Sequence, residues 1–312
     1  MPENLAVVAI DVGGTKIASG LFLETGACLM RNRMPTPQDS CEASLDRIVV
    51  LAAEAAQALP PSHRLAAVGL AVPGWVKQDA GTVWAPNIQG WDHIPLKEKL
   101  QTRLPAPLHI ESDRSAYVAG ETWLGVARGL EDVVFLAVGS GIGAGILVKR
   151  RILHGHDDLA GAVGWLALNP CFQQLYERMG CFEAEASGNA VGRKARDSLN
   201  HPRGPEITSR EVVESAEAGD KMAHQLLEEV SVYLGMGVAN LVSTLNPQMV
   251  VLGGGLFRSG SYLLKLVRSE FRRWAQPFAA GRVRLELSTL GEDAGLAGVA
   301  RLALDYSADR PA

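Results

Sequence analysis

No stretch of this 312-residue chain holds the roughly 18 consecutive apolar residues that a membrane-spanning helix needs. The opening Met1-Pro-Glu-Asn4 lacks the basic start and long apolar region of a secretory signal. The sequence therefore predicts a cytoplasmic protein with no membrane partner. An excess of positive charge is also missing: 30 lysines and arginines face 34 acids, for a formal net charge of -4. That balance argues against a polyanion-binding surface, and so against nucleic acid as a partner. The four cysteines, Cys28, Cys41, Cys171 and Cys181, include no C-x-x-C pair, so neither a disulfide framework nor a ready zinc motif is evident. Cys28 and Cys41 read as small packed apolar residues. No low-complexity linker divides the chain.

What is present is a hydrophobic content of 47%, ample for real cores, in a length that suggests about two domains. Apolar runs alternate with helical patterns. Leu5–Ile10, Ile17–Leu23 and Ala27–Arg33 read as a β-meander, and Ala43–Leu59 as a helix stopped by Pro60-Pro61. A strand at Leu65–Val72 ends in Pro73-Gly74. A hairpin-like stretch, a helix at Leu96–Arg103 and a strand at Pro107–Ile110 follow, and the chain then passes through Glu111-Ser112-Asp113 into a helix at Arg114–Leu124. The second half repeats the design with a strand at Val133–Val138, a glycine turn over Gly139–Gly145 and a strand at Ile146–Val148. A helix is expected over Ile207–Tyr233, continuing through Leu245, then a strand at Gln248–Leu252 and a helix at Tyr262–Trp274. A strand at Val283–Leu287 and a helix at Ala294–Leu304 complete the pattern.

Three glycine turns follow apolar strands. In Asp11-Val-Gly13-Gly14-Thr15-Lys16 the glycines can adopt backbone angles closed to other residues and bring N–H groups to an anion, while Thr15 adds a hydroxyl and Lys16 a charge. Asp11 has no attraction for phosphate; its natural partner is a cation or a metal-bound water. Gly139-Ser140-Gly141-Ile142-Gly143 and Gly253-Gly254-Gly255 are the other two turns. Any one of them fits an ordinary hairpin, but three in corresponding places point to a nucleotide. Asp113 sits where a strand hands over to a helix, a position that commonly faces a ligand. It suits a general base, which takes the proton of an alcohol as the bond to phosphorus forms, and equally a helix N-cap.

The chain resembles the ROK group of sugar kinases and sugar-responsive repressors within the actin-like, hexokinase-like ATPase superfamily. The resemblance rests on Asp11–Lys16, Val72–Gly74 with Ala85–Asn87, Glu111–Asp113 leading to Gly120-Glu121, and Gly139–Gly143. It continues through Ala160-Gly161 with Gly164, Gly180–Glu183 with Ala186–Gly188, Leu245–Pro247 and Val251–Gly255. It implies an α/β, two-lobed ATPase fold with a duplicated mixed-sheet core and an interlobe cleft. The lobes are expected at 1–124 and 125–312, with the terminal helix free to pack back on the first. It implies ATP-dependent phosphorylation of a hydroxyl, the primary 6-OH, of a hexose, amino sugar or related polyol, with Mg²⁺ bridging the phosphates near Lys16 or Asp11. The first two turns would grip the phosphates, Gly253–Gly255 would lie beside the nucleoside, and Asp113 would be the base. Gly74, Asn87, Ser112 and Glu183 match positions that contact sugar hydroxyls; Asn87 also suits a turn cap and Glu183 a solvated helix start. Relatives are commonly dimers or tetramers, so a homo-oligomer is expected.

The sequence departs from the family in two places. Family kinases carry a Glu and a His in the segment matching Ala160–Trp165, and here Ala162 and Trp165 stand instead. Loss of polar groups that pair with substrate hydroxyls shifts discrimination, and Trp165 offers either a flat face for a sugar ring or substituent, or a core filler. Of the family's structural zinc ligands only Cys181 remains, so no structural zinc is expected, and Cys171, His154 and His156 have no ligand spacing. Phe172, Leu175, Tyr176 and Met179 are expected to hold that loop by packing. With ten residues before Asp11, the DNA-binding domain of the repressors has no place here. The alternative to a kinase is a catalytically impaired sugar- or nucleotide-binding homologue acting as a sensor.

Overall fold

Residues 4–198, 207–258 and 261–308 are described by the computed structural model. The chain divides into two compact units, the first made of 1–129, 154–159 and 292–312, the second of 130–153 and 160–291.

The first unit is built on a five-stranded sheet of β1 (Asn4–Val12), β2 (Lys16–Leu23), β3 (Cys28–Pro35), β4 (His63–Val72) and β7 (Leu108–Ser112), in the order β3-β2-β1-β4-β7. A small hairpin, β5 (Trp75–Lys77) with β6 (Thr82–Trp84), follows β4. Helices α1 (Cys41–Gln57), α2 (Leu96–Gln101) and α3 (Asp113–Trp123) and the C-terminal helix Ala294–Ala308 complete the unit. Strand side chains alternate between faces. Ala6, Val8 and Ile10 of β1 therefore share a core with Leu45, Ile48 and Leu51 of α1. The opposite face meets the C-terminal helix so closely that a Cβ on Gly69 would stand 2.6 Å from the Val299 carbonyl oxygen. β1 runs parallel to β4, and β4 to β7, with Asp11 beside Ala71, Ala71 beside Glu111 and Val72 beside Ser112. That register brings the ends of three strands to one sheet edge, the usual ligand-binding edge of an α/β sheet.

The second unit repeats this topology. β8 (Val133–Val138), β9 (Ile142–Val148), β10 (Arg151–Ile152), β11 (Met249–Gly253) and β12 (Arg284–Leu287) form a sheet in the order β10-β9-β8-β11-β12. Among the described residues, seven α-helices accompany it: α4 (Tyr176–Met179), α5 (Cys181–Ala186), α6 (Gly188–Ser198), α7 (Ser209–Glu217), α8 (Lys221–Leu245), α9 (Ser261–Trp274) and α10 (Pro277–Ala280). Val134, Leu136 and Val138 share a core with Phe182, Val238 and Leu252. The duplicated α/β design with two mixed sheets is thus present.

Two expected elements differ. The helix expected across Ile207–Tyr233 is two helices, because Gly219 adopts φ +96° and Asp220 caps α8 by accepting the Ala223 N–H at 2.9 Å. β9 starts at Ile142 rather than Ile146, so Gly143 and Gly145 lie in a strand, opposite Ala137 and Phe135. Alternating glycines read as a turn, yet their spacing of two suits an extended strand equally well.

Candidate active site

The first glycine turn closes as a tight hairpin between β1 and β2. The Gly13 N–H donates to the Lys16 carbonyl at 2.8 Å, the Thr36 hydroxyl donates to the Gly13 carbonyl at 2.6 Å, and the Gln38 amide donates to the Gly14 carbonyl at 2.8 Å. The expectation that both glycine N–H groups meet an anion is corrected: Gly13 spends its N–H within the hairpin. Neither glycine has positive φ. Close approach is what demands them, since a Cβ on Gly14 would lie 3.0 Å from the Asn87 carbonyl oxygen and one on Gly13 3.1 Å from that of Lys16. Thr15 is exposed, and Lys16 pairs with Glu292, which also holds Arg33 at 2.8 Å.

At the same sheet edge Asp11 and Asp113 stand close enough to repel. Burial, and then the charge of Asp113, push the Asp11 carboxyl up from its ordinary 3.8 to about 7, with Lys16 and Arg33 opposing. Burial raises Asp113 as well, against the nearby Arg114 charge and N–H and the Tyr117 hydroxyl, which donates to its Oδ2 at 3.4 Å. The expected N-cap role for Asp113 is also corrected. Ser112 is the cap of α3, accepting the Ser115 N–H at 3.3 Å and donating to the Ser115 hydroxyl at 2.9 Å, and this leaves the Asp113 carboxyl to other work. Gly74 has φ +84° and would put a Cβ 2.1 Å from the Trp84 carbonyl oxygen, so only glycine fits; its own carbonyl accepts from Arg114 at 3.2 Å. Asn87 is exposed.

The second and third glycine turns share a cavity of about 530 Å³ in the second unit. Gly139, Ser140, Gly188, Asn189, Gly255 and Arg258 line it, with Arg196 and Arg210. The Gly188 N–H, at the start of α6, donates to the Gly139 carbonyl at 2.7 Å and ties that helix to the turn. Gly254 turns at φ +92°, where a Cβ would strike the Val138 backbone at 2.5 Å, and Gly253 packs on the Phe135 ring. Gly143, expected at the phosphates, is placed in β9. Among the described residues no carboxylate lines the cavity, which suits an anionic guest. Sequence reasoning missed the three arginines; only position in the fold gathers residues 196, 210 and 258.

Glu183 is no solvated helix start. Its carboxylate accepts the Ile142 N–H at 2.7 Å, burial raises its pKa, and a Cβ on Gly141 would meet Oε2 at 2.5 Å. Gly164 packs against Glu183, and the next residue, Trp165, is 57% exposed, so it fills no core. Of the expected sugar ligands, Gly74, Asn87, Ser112 and Asp113 belong to the first unit, Trp165 and Glu183 to the second. The loop after Trp165 differs from expectation as well. Tyr176 is buried and Leu175 and Met179 pack on the core, but Phe172 is 70% exposed and touches the Tyr176 ring edge-on at 6.0 Å. A buried polar network holds the loop: Tyr176 hydrogen-bonds Glu185, Asn169 donates to the Tyr176 hydroxyl at 2.9 Å, and Lys194 pairs with Glu185 at 2.9 Å. Cys171 is exposed and Cys181 buried. Among the described residues no three His, Cys, Asp or Glu gather as a metal site.

A glucokinase of Halalkalibacterium halodurans is 30% identical over 311 residues, covering 93% of this chain and 92% of its own. The structure of a ROK hexokinase from Thermus thermophilus superposes with TM-score 0.86 at 31% identity, covering 98% of this chain and all of that one. A ROK glucokinase of Streptomyces griseus, solved with glucose and AMPPNP, gives TM-score 0.79 at 31% identity over 96% and 99% of the two chains. Among more distant matches, a putative xylose repressor of Caldicellulosiruptor is 28% identical, covering 94% of this chain and 76% of its own. The sequence profile of the ROK family matches residues 7–306, and the chain belongs to that family.

Proposed function

We propose that this protein is an ATP-dependent sugar kinase that transfers the γ-phosphoryl group to the primary 6-hydroxyl of a hexose, amino sugar or related polyol. The observation that carries the reading is Asp113: a carboxyl at the ligand-binding edge, with its pKa raised by burial, relieved of helix capping by Ser112. An alcohol is a poor nucleophile at neutral pH. Asp113 accepts its proton as the oxygen attacks phosphorus, and Tyr117 and Arg114 hold the carboxylate ready. Arg114 also fixes the Gly74 carbonyl, which keeps the neighbouring loop in place for the acceptor. The cavity lined by Gly139, Ser140, Gly188 and Gly255 takes the nucleotide, where Arg196, Arg210 and Arg258 meet its anionic tail with no competing carboxylate among the described residues.

Mg²⁺ fits beside Asp11, an incompletely compensated carboxyl pushed up to about 7, and when bound with the nucleotide it neutralises phosphate charge. Trp165, exposed next to Glu183, offers a flat apolar face to a sugar ring or its substituent. Homo-oligomers and a cytoplasmic location accompany this reading. It is tested by incubating the purified chain with ATP and a panel of hexoses, amino sugars and polyols and following phosphorylated product by ³¹P NMR. Binding of both sugar and nucleotide with no product from any acceptor would instead favour the sensor.

A further inference from the structure

We propose that His154 is a positioning residue for phosphoryl transfer, acting through the buried Glu111 on the peptide that carries Asp113. The inference rests on the reading of Asp113 as the base. Glu111, at the end of β7, is only 2% exposed, and a carboxylate buried that far persists only with its lone pairs partnered. Its Oε2 lies 2.7 Å from His154 Nε2. Its Oε1 accepts the Ser112 N–H at 2.8 Å and the Gln78 amide at 3.4 Å. The carboxylate thus folds back on the very next N–H and fixes the peptide between residues 111 and 112. Ser112 then caps α3, and Asp113 is the first residue of that helix. Each link sets the direction of the following one, from the imidazole to the base.

The chain makes an unusual excursion to supply this imidazole. Residues 154–159 belong to the first unit, while the residues on both sides of them belong to the second. The same short segment is tied down elsewhere. The Trp75 indole donates to the Asp157 carbonyl at 2.8 Å, the Gln78 N–H donates to the Asp158 carboxylate at 3.1 Å, and Lys77 pairs with Asp157 at 3.4 Å. Gln78 therefore holds both the segment and Glu111. Nothing in the proton transfer itself uses His154, so an orienting role accounts for a buried acid and an imidazole that the chemistry leaves idle.

The test compares His154→Ala and His154→Gln in the full chain, with Asp113→Asn as control, using ATP and the best acceptor of the panel, well below the melting temperature of the weakest variant. His154→Ala is expected to lower kcat by about ten- to a hundredfold while KM for ATP stays within about twofold, as misplacement of a reacting group does. His154→Gln, which keeps a neutral donor, is expected to recover most of the loss. A wild-type kcat in His154→Ala, whatever its melting temperature, overturns the inference and leaves His154 a stabilising contact only. If the alanine variant does not fold, Glu111→Gln takes its place: a folded protein with reduced kcat supports the proposal, and one with wild-type kcat overturns it. Unchanged turnover in Asp113→Asn overturns the base assignment itself, so the two failures are told apart.

Discussion

On the proposed reading, the carboxyl groups of Asp113 and Asp11 are predicted to leave separate marks. Asp113→Asn keeps the shape but cannot take a proton, so kcat is expected to fall by about a hundred- to ten-thousandfold with sugar affinity nearly kept, measured by steady-state kinetics beside calorimetric binding. Asp11 leaves its mark on stability. Its folded-state pKa of about 7 lies above the ordinary 3.8, so between those values the folded protein holds more proton than the unfolded one. Its contribution is full below about pH 4 and is lost as pH rises through about 7. Denaturant melts of metal-free Asp11→Asn between pH 4 and 8 are therefore expected to fall less steeply with pH than wild type; an identical slope would sink the assignment. Part of this was legible in the sequence. Asp113 at a strand-to-helix junction was visible, but which of Ser112 and Asp113 caps the helix depends on backbone angles that adjacent small polar residues share equally. Gly13 and Gly14 were recognisable as a turn, whereas one reason for Gly14, close approach to the Asn87 carbonyl, comes from a residue that only folding brings near.

At the scale of elements, the loop from Leu166 to Gly180 is held by Leu175, Tyr176 and Met179, as composition suggested, and also by hydrogen bonds and charge, while Phe172 stands exposed. Glu185 accepts from Tyr176 and Lys194 while almost wholly buried. Removing Glu185 would leave Lys194 only Glu229 at 2.6 Å, and the Tyr176 hydroxyl only the Asn169 amide at 2.9 Å. Glu185→Ala is accordingly expected to cost about 1–3 kcal/mol of stability, read from urea melts. Dialysis against a chelator is expected to leave the melting temperature unchanged, because the network does the work a metal would do; a fall on chelation would restore a bound ion to the account. Apolar periodicity marked most strands and helices to within a few residues. It failed at Gly219, where two amphipathic helices in succession keep one apolar rhythm and only a left-handed glycine with a capping Asp220 parts them. The Glu185 network left no trace, since its members are scattered over residues 169–194 with no periodic signal.

Across the whole molecule, repetition of strand, glycine turn and strand was the most readable feature, and the two sheets carry it in the same order. Each unit has its own hydrophobic core. A nucleotide that binds one unit is thus expected to protect that unit first. With AMPPNP, hydrogen exchange is expected to slow around 139–140, 188–192 and 255–258, the segments that line the cavity, and protection confined to 1–129 would contradict the assignment of the site. The C-terminal helix has a different bearing on the molecule. It lies against Gly69, Gly120 and Asp11 of the first unit, yet it follows every residue of the second in the chain. As the polypeptide emerges from the ribosome, the first sheet must wait with one apolar face bare until Ala294–Ala308 arrive, after the whole second unit. Nascent chains halted before Ala294 are therefore expected to be the ones that chaperones retain, with β1 among the last strands to be covered.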